Sequence, residues 1–128
     1  MDRRTGLAAA SRDPHLTLRR VDRQQALIER LHAAHGARLH LDDLARDLRV
    51  APRTIARDVE RLRLSGVPLR TARGAGGGVS LPRTRTTITV TLDLPEAAAL
   101  LSSLAALGPT TSPGADAAMR KLTAALTA

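Results

Sequence analysis

The chain has 128 residues, a formal net charge of +8, and neither cysteine nor any Phe, Tyr or Trp. The missing cysteines exclude disulfides and thiolate metal sites, and the missing aromatic residues exclude modules that stack bases on aromatic rings. The surplus of arginine indicates a polyanionic partner, most simply nucleic acid, with a compositional bias of the genome as the alternative explanation.

The positive charge lies in the first two thirds of the chain. Residues 1–85 contain 18 arginines and nine acidic residues, whereas residues 86–128 contain two basic and three acidic residues. We expect a flexible basic extension over residues 1–17, a DNA-binding domain over residues 18–84, and a helical linker, docking or dimerisation segment over residues 85–128. No stretch has the apolar length of a signal peptide or a membrane span, which favours a cytoplasmic protein.

Apolar residues at helical spacing predict two helices at the start of the folded domain. The first covers residues 21–35 and is followed by Gly36, which suits a helix end. The second covers residues 41–48, with Asp42 and Asp43 in its first turn, where acidic side chains favour the helix dipole. The predicted buried stripes are Leu27, Ile28, Leu31 and Ala34 in the first helix, and Leu41, Leu44, Ala45 and Leu48 in the second.

A third helix is predicted over residues 52–64, because Pro52 suits the first position of a helix. Its apolar residues recur at spacings of four and three and therefore share one face, while the opposite face is rich in arginine. The apolar set is Ile55, Val59 and Leu62, and the polar set is Arg53, Arg57, Glu60 and Arg61. Two short helices joined by a three-residue turn after a longer helix follow the helix-turn-helix plan.

A β-hairpin is predicted directly after this third helix. Its flanks, residues 67–72 and 79–81, alternate and contain strand-forming residues, while the glycines between them allow positive φ. We interpret this hairpin as a wing with Arg73 at its tip. The expected fold is mainly α with a small β-hairpin wing, a winged helix-turn-helix followed by a C-terminal helical segment.

The segments that contain Arg53-Thr54-Ile55-Ala56-Arg57-Asp58-Val59, Gly66-Val67-Pro68 and Gly76-Gly77-Gly78 resemble one family. It is the N-terminal DNA-binding half of bacterial DeoR-like winged helix-turn-helix regulators that carry a WYL domain, and the resemblance covers about residues 19–107. The departures are Arg49 for a usual Gly, Ala51 for a Ser cap, Ala56 for a larger residue and Val79 for a wing Tyr. The chain ends about where the WYL domain would begin, so we do not extend effector sensing to it.

The resemblance implies sequence-specific binding of double-stranded DNA by the third helix in the major groove. The residues expected to contact base edges are Arg53, Thr54 and Arg57. Those expected to contact the DNA backbone are Arg61, Arg63, Arg73, Arg19, Arg20 and Arg23. Asp58 is expected to hold Thr54, Arg57 or Arg61 in place, and the other supporting residues are Ile55, Val59, Leu62, Leu44 and Leu48.

The last third of the chain is apolar and nearly neutral. Residues 95–107 and 115–126 are predicted as two helices with stripes of leucine. We expect this segment either to dock on the winged helix or to form a homodimer through its helices, with partial disorder as the alternative. A dimer would suit a regulator that reads two half-sites about one helical turn apart.

The sequence gives little support for a metal site, a cofactor site or a catalytic site. His32, His35 and His40 lie close together along the chain near Asp42, but no cysteine completes a metal site. We expect no metal, no cofactor and no enzymatic activity. The rival interpretations are a protein-interaction adaptor built on a winged helix and a nonspecific, nucleoid-type DNA binder.

Overall fold

The computed structural model describes residues 14–74, 77–83, 87–108 and 112–128. The chain divides into two compact units, Met1–Thr84 and Arg85–Ala128. The elements of the first unit are α1 (Pro14–Ala33), α2 (Leu41–Leu48), α3 (Pro52–Leu64), β1 (Arg70–Ala72) and β2 (Gly78–Ser80). Those of the second are α4 (Leu94–Leu107) and α5 (Pro113–Thr127). The predicted fold class, a winged helix-turn-helix followed by C-terminal helices, is confirmed.

The first unit is built around one apolar core to which all three helices and the hairpin contribute. In the described part of the chain its buried members are Leu27, Leu31, Leu44, Ala45, Ile55, Val59, Leu62, Leu69 and Val79. Each fully buried aliphatic side chain contributes about 1.5–3 kcal/mol. The core is entirely aliphatic, as the composition requires, and it fixes the face that α3 turns to solvent.

The hairpin is extended by a third chain segment. Strands β1 and β2 pair antiparallel with Thr71 opposite Val79. Leu39 forms a β-bridge to Val79, and the two residues exchange backbone hydrogen bonds of 2.8 Å in both directions. Val79 is fully buried, so the side of the sheet that carries it faces the core.

Helix α1 begins earlier than predicted. It runs from Pro14 to Ala33, so the expectation of a flexible extension is wrong for residues 14–17, while residues 1–13 lie outside the described residues. Apolar spacing does not indicate these additional turns, because they extend beyond the core. Leu16, for example, is exposed. The helix ends before a turn in which Gly36 has a φ of 89°.

The second unit consists of two helices with strong local start signals. Asp93 and Glu96 form a capping box at the start of α4, with two reciprocal hydrogen bonds of 2.9 Å between side chain and backbone. Ser112 accepts a hydrogen bond of 3.0 Å from the backbone N–H of Ala115 at the start of α5. Among its described residues, Ala97 alone is buried. The helices of this unit thus begin with hydrogen-bonded caps, but the unit has little buried interior.

Candidate nucleic-acid interface

Helix α3 separates its residues into a core face and a solvent face. Ile55, Val59 and Leu62 are buried with the core of the first unit. Arg53 and Arg57, which lie one turn apart, are exposed on the opposite side. Because the core fixes the rotation of the helix about its axis, both guanidinium groups extend from the side that faces away from the protein.

Of the three other α3 residues singled out for DNA contact, two lie at the margins of this solvent face and the third is exposed. Thr54 is half-buried in the first turn, and its backbone N–H donates a 2.9 Å hydrogen bond to the carbonyl of Ala51. Arg61 is half-buried near the end of the helix. Arg63 is exposed and pairs with Glu60 at 3.4 Å, an exposed contact of the kind that contributes little to stability.

The turn between α2 and α3 consists of Arg49, Val50 and Ala51. Arg49 ends α2 in the left-handed region, with φ 58° and ψ 45°, a conformation that glycine adopts without steric cost. Ala51 has the extended backbone of an N-cap but provides no side-chain hydrogen bond to α3. These two positions are the ones at which the sequence departs from the Gly and Ser of the family that it resembles.

Asp58 is the buried polar residue of α3, and its partners lie on α1. Arg23 donates two hydrogen bonds to this carboxylate, one from Nε to Oδ2 and one of 3.0 Å from Nη2 to Oδ1. Gln24 donates a third, of 3.2 Å, to Oδ1. Asp58 is 0% exposed and the Arg23 side chain 20% exposed. The hydrogen bond to Asp58 raises the pKa of the Arg23 guanidinium, so that it remains charged.

This arrangement corrects two expectations. Asp58 holds an arginine, but that arginine is Arg23 of α1 and not Arg57 or Arg61 of its own helix, because Asp58 lies on the core face of α3 and they do not. The second expectation concerns Arg23, which was expected only at the DNA backbone: it donates two of its guanidinium N–H groups to Asp58 and so also has a structural role. Its role is to join α1 to α3 across the interior.

Comparison with known protein families identifies a domain that includes these residues. Residues 23–79 match a family model described as an HTH domain. Residues 23–79 form a helix-turn-helix domain. The match begins at Arg23, the partner of the buried Asp58, and ends at Val79, the core residue of the wing, and it supports a DNA-binding region. Neither the curated proteins nor the solved structures compared with the chain give a significant match.

The glycines at the end of the wing are required by the packing of the helix-turn-helix domain itself. Gly77 is buried, and a Cβ there would lie 2.5 Å from the carbonyl oxygen of Ala72. Gly78 has a φ of 135°, and a Cβ there would overlap the carbonyl of Leu39. At both positions the close approach that glycine permits is to the protein's own backbone. Residues 75–76 lie outside the described residues.

The other arginines expected at the DNA backbone lie at two separate places. Arg73 is exposed at the base of the wing tip, where it lines a shallow pocket with His40 and Asp42 at the start of α2. On α1, Arg19 is exposed and Arg20 half-buried. The first unit thus has arginines on α1, on α3 and in the wing.

The structure identifies two further arginines, Arg38 and Arg70, that the sequence motifs do not indicate. In the sheet register Ser80 is opposite Arg70, and the antiparallel bridge at Leu39 places Ser80 opposite Arg38. Ser80 therefore lies between two arginines on the outer face of the sheet, and all three line an open cavity of about 490 Å³. Strand alternation relative to the buried Val79 is a signal that places Ser80 on the outer face, but only the strand register brings the two arginines beside it.

The described residues contain no group of three His, Cys, Asp or Glu side chains placed to hold a metal ion. His32, His35 and His40 are exposed. Within the same part of the chain, no helix combines the length and the apolar character needed to cross a membrane.

Proposed function

We propose that the protein is a transcription regulator that binds double-stranded DNA in a sequence-specific manner. The observation that carries this proposal is the orientation of α3, which buries Ile55, Val59 and Leu62 and exposes Arg53 and Arg57 on one face. An α-helix fits the major groove of B-DNA, and an arginine there can donate two hydrogen bonds to guanine O6 and N7. The N-terminal half of α3 enters the groove first.

In this proposal Arg53 and Arg57 contact base edges. Ala56 lies between them on the exposed side of the helix, and its small side chain allows the backbone to approach the groove closely. Its methyl group, like that of Thr54, suits contact with a thymine methyl. Ala56 replaces a usually larger family residue, so the base preference at this position is expected to differ from that of the family.

The contacts to sugar and phosphate come from arginines outside this central group, and they position the protein without specifying sequence. We assign them to Arg61, Arg63, Arg73, Arg19 and Arg20, together with Arg38 and Arg70 on the outer face of the wing. A wing placed on the DNA backbone accounts for the position of Arg73 at its tip.

We also propose that the protein is bacterial and acts in the cytoplasm on the nucleoid, as a relative of the DeoR-like, WYL-associated regulators. The support is the combined motif of α3, the strand after it and the wing. The C-terminal unit is proposed to join two copies into a homodimer, because its helices leave apolar side chains such as Leu94 and Leu100 exposed.

Binding titrations at two salt concentrations test the function. The ligands are a random duplex and the duplex enriched from a randomised pool. We expect a steep salt dependence and a preference for the enriched site. Arg57→Ala should abolish discrimination at one base pair, worth about 1–3 kcal/mol, whereas Arg61→Ala should weaken binding to all sequences alike and reduce the salt slope by about one.

The matched control is Arg120→Ala, which removes the same charge from α5 and should leave DNA binding unchanged. Absence of duplex binding at about 50 mM salt would contradict the proposal and favour a protein-interaction adaptor. Binding without preference would favour a nonspecific nucleoid-type binder. If Arg57→Ala and Arg61→Ala have the same effect, the division between base and backbone contacts is wrong.

A further inference from the structure

Residues 87–92 have the sequence of a β-strand but pair with no strand among the described residues. Thr87, Thr89 and Thr91 alternate with Ile88, Val90 and Leu92, and these residue types are enriched in strands. The segment forms no hydrogen bond within the described part of the chain. Ile88 is 78% exposed and Val90 65% exposed. A strand-forming segment is thus presented to solvent with its apolar side chains uncovered.

The apolar side chains of this segment help to line a groove of the second unit. Val90 and Leu92 line an open cavity of about 560 Å³ together with residues of both helices. The helix residues that share the lining include Leu94, Ala97, Leu122 and Leu126. A partner that covers the segment would therefore cover the groove as well.

The segment also lacks the features that normally protect an unpaired strand. Natural edge strands are protected from pairing by charged residues, proline or bulges. Residues 87–92 contain neither a charged residue nor proline. Two copies of the segment can therefore approach each other without charge repulsion, and their backbone groups are available for pairing.

We propose that residues 88–92 pair with the same residues of a second copy of this chain, as a two-stranded antiparallel ribbon with Val90 opposite Val90. This register places Ile88 opposite Leu92 and Thr89 opposite Thr91, so every apolar residue of the segment meets an apolar residue. A shift by one residue would place threonine opposite the aliphatic side chains on both faces. A shift by two would leave one aliphatic residue of each copy outside the paired segment.

The occupant is a second copy because Ile88 and Leu92 lie two residues on either side of Val90, so an antiparallel copy places an aliphatic residue opposite each of them. A two-fold interface uses the same surface of both subunits, and an antiparallel pair of identical strands meets that condition. Specific interfaces bury about 800 Å² per partner, more than a ribbon of five residues from each copy supplies. The groove beside Leu94 and Leu122 must therefore contribute, which its continuity with the ribbon permits.

Single-cysteine cross-linking tests the register, because the natural chain contains no cysteine. Directly opposite residues have Cα atoms about 4.5–5.5 Å apart, within the range for a disulfide. V90C should therefore form a covalent dimer under mild oxidation. I88C alone should cross-link at least about tenfold less, because its two copies lie about 13 Å apart in this register. An equal mixture of I88C and L92C should give the mixed dimer.

Sedimentation of charge variants tests the interface itself. Val90→Lys should convert the dimer into a monomer with unchanged helical circular dichroism, whereas Thr89→Lys, on the other face of the ribbon, should retain the dimer. A wild-type protein that is monomeric at all concentrations overturns the proposal. So does equal cross-linking of V90C and I88C, or a dimer that Leu100→Lys dissociates and Val90→Lys does not.

This inference specifies the proposed homodimer, and its failure is distinguishable from failure of DNA binding. A monomeric Val90→Lys protein that still prefers the enriched duplex, with weaker affinity, supports both proposals. A dimeric wild-type protein that cross-links through V90C but binds no duplex refutes the DNA-binding function alone.

Discussion

Helices α2 and α3 begin without a side-chain cap, whereas α4 and α5 begin with Asp93 and Ser112 as hydrogen-bonded caps. The burial of apolar side chains differs in the opposite sense. The first unit has an aliphatic core shared by its elements, whereas the second buries Ala97 alone among its described residues. Helices in proteins gain most of their stability from packing, and isolated helices shorter than about 12–15 residues are marginal. The first unit therefore tolerates poor helix ends, whereas caps alone give the second limited stability.

The two units also differ in the side chains that they expose to solvent. The first unit exposes arginines on α1, α3 and the wing, while most of its large apolar residues lie in or against the core, with Leu16 and Leu64 exposed. The second exposes aliphatic side chains such as Ile88, Val90 and Leu94 and carries little net charge. The charge of the first suits a polyanion, and the uncovered apolar surface of the second suits another protein surface.

The largest effect is expected from removing the polar contact inside the better-packed unit. Arg23→Ala leaves the Asp58 carboxylate fully buried with Gln24 as its remaining side-chain donor. Loss of one partner of a buried pair costs about 3–5 kcal/mol. Urea unfolding followed by far-UV circular dichroism measures this loss, since the chain has no tryptophan or tyrosine for fluorescence.

The matched control for Arg23→Ala is Arg30→Ala, which removes an ion pair between Arg30 of the same helix and Asp47, both exposed. Exposed pairs contribute about 0–1 kcal/mol, so the control should lie near the wild type. In the double variant Arg23→Ala/Asp58→Leu, part of the lost stability should return, because no charge then remains buried. Equal losses in Arg23→Ala and Arg30→Ala would show that the first unit does not depend on its buried pair.

Replacing one leucine by alanine in each unit compares the two units directly. Leu31→Ala removes a fully buried side chain from the core of the first unit and should cost about 2–5 kcal/mol. Leu100→Ala removes an exposed side chain from α4 and should change stability by about 0.5 kcal/mol or less. The same unfolding measurement ranks the two. A loss at Leu100 as large as that at Leu31 would mean that the second unit has a core of its own.

The sequence predicts elements with strong periodicity well and contacts between elements poorly. The three-residue turn and the bounds of α2 and α3 follow from helical spacing and from Pro52. The partner of Asp58 does not, because Arg23 lies 35 residues away and only the packing of α1 on α3 brings the two together. The Arg38–Ser80–Arg70 row depends in the same way on a strand register that no local pattern specifies.

Apart from the control and comparison variants, the smallest effect is expected at the turn between α2 and α3, where the packing of the core offsets an unfavourable backbone conformation. Arg49 has a φ of 58°, and a left-handed conformation costs a residue with a side chain about 1–2 kcal/mol. Arg49→Gly removes that strain but adds chain entropy to the unfolded state, so the net gain should be about 0.5–1 kcal/mol. Arg46→Gly, at an exposed position within α2, is the control and should destabilise by about 1 kcal/mol. If Arg49→Gly instead destabilises the protein, the arginine side chain makes a contribution that outweighs its backbone strain, and the first unit does not simply tolerate its poor helix ends.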